Sequence, residues 1–225
     1  MIVAPSSTVV RYGALSCALV VFLSSVGCAH APTKVIRNHP AETRLTELAE
    51  PVIALTKKPS EHYWFRVAAG QSKRPVDLWV LHNRHVYFSE RLVAHVPEET
   101  LLCLIAHGVA HSDLHHYRKR SVLYWLQYVA FLVGGAFVPF LNLGYLVTAP
   151  ITDKGASSLQ EFSADQRTME YLAALGVPPG AYVRALEVMQ AGEFVERSGR
   201  YITTQQRKFE PRIRALRERL KKSEG

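Results

Sequence analysis

The 225-residue sequence is poor in cysteine and short of acid. Its three cysteines, Cys17, Cys28 and Cys103, form no CxxC pair and are too few for a disulfide framework. A thiolate zinc site and a disulfide-stapled fold are therefore excluded. Asp and Glu number 19 against 27 Lys and Arg, a net charge of +8. That balance permits an anionic partner, either nucleic acid or a membrane face. No histidine follows His116, and no charged residue occurs between Ser121 and Thr152. A hydrophobic fraction of 48% excludes disorder, and no compositional bias suggests a coiled coil or collagen. The length suits one domain with an anchor.

The anchor is expected in residues 1–28. Arg11 precedes an uncharged run from Tyr12 to Val26 that ends on Gly27-Cys28, the grammar of an export signal. Two readings fit. In one, Cys28 is the acylated first residue of a bacterial lipoprotein, although Ser25 stands where such signals carry leucine. In the other, the run is an uncleaved anchor helix. Both place the rest of the chain outside the cytoplasm, tethered to a membrane at its periplasmic or extracellular face. Residues 29–60 read as a linker and a helix near Glu42–Leu55, where Leu45, Leu48, Ala49 and Ile53 recur at helical spacing. Residues 61–225 read as the main domain.

Within that domain, three segments are rich in β-branched and aromatic residues: 63–67, 76–81 and 85–89. Turn residues lie between them, so a small antiparallel sheet is expected. Pro97-Glu98-Glu99 opens a helix expected to reach Tyr117. It carries His107 and His111, four apart and hence on one face, able to reach one ion. With ten histidines in the chain such a pair also arises by chance, and a buried, hydrogen-bonded imidazole explains either residue equally well. A second helix is expected from Leu159 to Leu175, ended by Gly176 and Pro178. On it, Glu161 could supply a third ligand, and Asp165 could orient a ligand histidine.

Together these residues resemble the zinc metallopeptidases of the HtpX and CAAX-prenyl-protease type (peptidase family M48), including lipoprotein members of bacterial envelopes. The resemblance covers about residues 76–215. It rests on the strand Val86-Tyr87-Phe88-Ser89 with Leu92 after it, Pro97-Glu98-Glu99, His107-x-x-x-His111 with His116, and Glu161-x-x-Ala164-Asp165 followed by Gly176-Val177-Pro178. It implies an α+β, zincin-like (gluzincin) domain, mostly helical with a small sheet. It also implies one zinc ion held by His107, His111 and Glu161, with Asp165 and His116 behind the ligands. Two departures stand out. The family motif is His-Glu-x-x-His, whose glutamate is the general base, and here that position is Gly108. A family Thr-His-Pro ahead of an Arg-Ile pair is also missing, since Thr203-Thr204-Gln205-Gln206 precedes Arg212-Ile213.

The uncharged stretch 121–152 is long enough for one membrane span. A single span would put the two histidines and Glu161 on opposite sides, so a membrane-associated hairpin broken at Gly134-Gly135 and Pro139 is expected, with Arg118-Lys119-Arg120 at anionic headgroups. A loop packed on the domain and a buried pair of core helices are the other readings. The basic C-terminal run reads as an amphipathic helix after Pro211, with Ile213, Leu216 and Leu220 as its apolar stripe and its basic face solvated or, as a second reading, on a membrane surface; no nucleic-acid partner is expected. Three functions follow from these readings. The chain is a degenerate metallopeptidase that binds zinc, with membrane lipid and unfolded or membrane-inserting envelope proteins as partners. Alternatively it is an active envelope endopeptidase, or a metal-free structural membrane protein.

Overall fold

The computed structural model describes residues 34–69, 78–81, 84–116, 119, 122, 123, 125, 126, 129–131, 133, 144–191 and 199–224, with backbone alone for 79, 144–157, 199–208, 223 and 224. The export segment with Cys28, and the expected hairpin bend at 134–143, lie outside the described residues.

In chain order the elements are β1 (Val35–Ile36), α1 (Ala41–Ala54), β2 (Trp64–Ala68), β3 (Leu78–Val80), β4 (His85–Ser89), α2 (Glu90–His95), α3 (Glu98–Asp113), α4 (Gly144–Ala174), α5 (Pro179–Ala191) and α6 (Gly199–Glu224). The chain is α+β and mostly helical. Its sheet has the order β1-β2-β4-β3. The expected antiparallel sheet is corrected here. Only the β3–β4 and β1–β2 pairs are antiparallel, while β2 and β4 run parallel in the register Phe65 to Val86 and Val67 to Phe88. The Leu81 amide donates to the His85 carbonyl at 2.9 Å, so β3 pairs with the strand next to it in sequence and lies at the sheet edge beyond β4.

Alternation along the strands gives the sheet two faces. Phe65, Val67, Val86 and Phe88 are buried, and Trp64, Arg66, His85 and Tyr87 lie on the other side. The buried face meets α3, which is sunk along most of its length from Leu101 to Ala110. Helix α1 adds Leu45, Ala49 and Val52 to the same core, and α5 adds Tyr182, Ala185 and Leu186.

Gly108 is the point of closest approach between α3 and the sheet. A Cβ built there would lie 2.8 Å from Val86 Cγ1 and 3.7 Å from Val80 Cγ2. A methyl group fits only if β4 yields.

Three helix boundaries differ from expectation. Helix α3 stops at Asp113 rather than Tyr117, because His115 takes a left-handed conformation with φ of 53°. Histidine is among the residues that tolerate that region. Helix α4 begins at Gly144, well before Leu159, so part of the uncharged stretch and Glu161 share one 31-residue helix. Its end is as expected, with Gly176 at φ 72° and the Val177 amide donating to the Leu172 carbonyl at 2.9 Å. Helix α6 runs through Pro211 instead of starting after it. Its two sides are as expected: Arg214, Arg217 and Arg219 are exposed, while Ile213 and Leu216 of the apolar stripe are buried and Leu220 packs on the core. No helix among the described residues is long and apolar enough to cross a membrane.

The Gly108 contact sets a stability test. Helix propensity alone favours Gly108→Ala by about 1 kcal/mol, while overpacking against a buried valine costs about 1–3 kcal/mol. We expect chemical denaturation to show net destabilisation for Gly108→Ala, and the same substitution to become stabilising in a Val86→Ala background, where the methyl has room.

Candidate metal centre

The two histidines project from one face of α3 because four residues complete one turn. Their Nε2 atoms lie 3.1 Å apart. Glu161, brought in by α4, places Oε2 3.4 Å from His107 Nε2 and Oε1 3.5 Å from His111 Nε2. One ligand atom from each of these residues falls within 4.8 Å of the others, the only such His/Cys/Asp/Glu group among the described residues. Glu161 lies 50 positions after His111 in the chain, and the packing of α4 on α3 closes the gap.

Hydrogen-bond polarity shows what faces the centre of this triad. Behind His111, its Nδ1 lies 3.0 Å from His116 Nδ1, and His116 Nε2 lies 3.1 Å from Ser163 Oγ. The Ser163 hydroxyl is turned to the Leu159 carbonyl at 3.0 Å or the Gln160 carbonyl at 3.1 Å, so its oxygen accepts from His116 Nε2–H. Burial, reinforced by the neighbouring His111, pulls His116 down to about 4, so at neutral pH its Nδ1 is a bare acceptor. His111 Nδ1 therefore donates, and its Nε2 presents a lone pair. The left-handed turn at His115 is what swings His116 back to meet His111.

Behind His107 stand residues from three helices. Tyr182 Oη is 2.9 Å from His107 Nδ1 and donates to Asp165 Oδ1 at 2.6 Å. Asp165 Oδ1 is itself 3.5 Å from the His107 ring nitrogen, and it is 2% exposed. Arg212 binds that carboxylate with both arms, Nε to Oδ2 at 2.9 Å and Nη2 to Oδ1 at 2.5 Å. Its Nη1 lies 2.8 Å from Glu161 Oε2, and its Nη2 is 3.3 Å from His107 Nε2.

The titrations follow from this packing. Burial, then the nearby His111 and Arg212 charges, lower His107 below its usual value against the pull of Glu161. Burial alone would raise Glu161, but the Arg212 guanidinium and the two imidazoles beside it hold its carboxyl well below the usual range. Two carboxylates against one guanidinium leave a surplus negative charge beside two imidazole lone pairs. That donor set fits a divalent cation of zinc type, His₂Glu with the imidazoles as neutral ligands. Tyr182 and Arg212 were not among the candidates from sequence. Gly108 offers no side chain, and Asp113 is spent elsewhere, accepting from the Tyr171 hydroxyl at 2.8 Å and the Lys57 amide at 3.0 Å.

A helix-borne His-x-x-x-His with a glutamate from a following helix defines the metal-site class of zinc peptidases. The family model for Peptidase family M48 matches residues 39–219, and the chain belongs to that zinc metallopeptidase family. Comparison with curated proteins returns no match.

The lowered imidazoles also set an acid limit for the metal-free chain. Between the ordinary histidine value of about 6.5 and the depressed folded values, with His116 at about 4, the unfolded chain binds protons that the folded chain refuses. Stability is then full above about pH 6.5 and falls as the pH drops toward 4. Denaturant midpoints measured across that range should decline, and the decline should be shallower in His116→Gln.

Proposed function

We propose that this chain is a membrane-anchored, zinc-binding metallopeptidase-like protein of the cell envelope, with a gluzincin-type arrangement and little or no proteolysis. The observation that carries the reading is Gly108, the position next to the first ligand histidine, which holds no carboxylate and is closed by Val86 Cγ1 at 2.8 Å from any Cβ. His107, His111 and Glu161 would hold the ion. Zinc bound there supplies Lewis acidity and lowers the pKa of coordinated water to near 7. Among the described residues no free carboxylate stands beside the site to take the proton, and a positioned general base is worth about 10²–10⁴ in rate. The two carboxylates that contact the imidazole pair are engaged, Glu161 with Arg212 and Asp165 with Arg212 and Tyr182. Such a site binds without turning over, and unfolded or membrane-inserting envelope polypeptides are the partners this reading favours.

The membrane assignment is supported by residues just after the site. Trp125 is 63% exposed and Leu126 54%, with Val122 and Leu123 also exposed. They follow the Arg118-Lys119-Arg120 cluster and open the uncharged stretch. Aromatic and aliphatic side chains beside cations match an anionic lipid interface.

Metal analysis of the purified chain should give one zinc per chain, lost in His111→Ala. Casein hydrolysis should be undetectable in the wild type and in Gly108→Glu, where the new side chain collides with Val86. Turnover at rates typical of active family members by the wild type would overturn the inactive reading, and absence of zinc would overturn the metal reading. Vesicles of phosphatidylglycerol should float the protein, those of phosphatidylcholine should not, and Lys119→Glu should weaken the former several-fold.

A further inference from the structure

Tyr182 is fully buried, with its hydroxyl at the crossing of α3, α4, α5 and α6. A buried phenol needs one partner, and the 2.6 Å bond to Asp165 supplies it. The second contact, 2.9 Å to His107 Nδ1, exceeds that need. Its direction is fixed. Asp165 accepts only, so the phenolic proton lies toward the carboxylate and the tyrosine oxygen must accept from His107 Nδ1–H. On the other side of the ring, Arg212 Nη2 at 3.3 Å donates only, so His107 Nε2 must be bare.

We propose that Tyr182 is a positioning residue that relays Asp165 to His107 and holds that imidazole in the one tautomer whose Nε2 lone pair faces Glu161 and His111. Direct contact cannot do this, because the nearest Asp165 oxygen is 3.5 Å from Nδ1 and both carboxylate oxygens are taken by Arg212. A phenylalanine would fill the same volume, so packing alone does not demand the hydroxyl. The inference rests on the zinc reading for its purpose, though the tautomer exists without metal.

The test uses the full chain with ¹⁵N-labelled histidine, metal-free, and a chelator competition for zinc. His107 is assigned by the signal lost in His107→Gln. In the wild type we expect His107 as the Nδ1–H form at neutral pH. In Tyr182→Phe, folded by circular dichroism, we expect mixed tautomers and zinc held about 10–100-fold more weakly. Wild-type tautomer and affinity in a folded Tyr182→Phe would overturn the proposal, as would an Nε2–H signal for His107 in the wild type. The wild-type spectrum decides alone if the variant does not fold. A fixed tautomer in a chain that binds no zinc supports the relay and overturns the metal reading instead.

Discussion

One buried carboxylate organises the functional end of this molecule. Asp165 sits on α4 and receives the Tyr182 hydroxyl from α5 and both arms of the Arg212 guanidinium from α6, while the His107 ring on α3 lies 3.5 Å away. Ionised groups removed from water cost several kcal/mol each unless every lone pair and proton is matched, and here the matching partners come from different helices. The crossing of four helices and the orientation of one imidazole are therefore the same constraint. Stability and metal geometry cannot be separated at this point, because the groups that neutralise the buried charge also set the histidine.

The opposite imidazole is held by lighter means. A histidine and a serine hydroxyl turned to main-chain carbonyls align His111, and these partners are neutral. Glu161 stands between the two arms and is half shared, since one oxygen belongs to Arg212 and the other faces His111. The centre is asymmetric, with a buried ion pair behind His107 and neutral groups behind His111.

Much of this was legible in the sequence wherever the signal was local. The i,i+4 histidines, the acids after Pro97 and the Gly176 helix end depend on neighbours in the chain, and the structure shows each in place. Glu161, Asp165 and His116 were reachable only through a resemblance, since an isolated Glu-x-x-x-Asp carries no information. Tyr182 was missed because Pro178-Pro179-Gly180 marks an ending, yet Ala181, Tyr182, Ala185, Leu186 and Met189 repeat at helical spacing and would have shown α5. Arg212 was noticed as half of an Arg-Ile pair, but a cation on a basic helix looks solvated until tertiary contact buries it. The parallel pairing of β2 with β4 has no local mark at all, because the chain between them can return on either side. The start of α4 was hidden by uniform apolar composition, which suits a helix and a hairpin arm alike.

That long helix has a mechanical meaning. Gly144 and Glu161 lie about 25 Å apart along a single rod at 1.5 Å per residue. Pro150 lies inside it and has no N–H to give to the Leu146 carbonyl, so the helix is weakest against bending there. The carboxylate, three turns beyond that proline, takes its azimuth at the two imidazoles from the packing of α4 on α3.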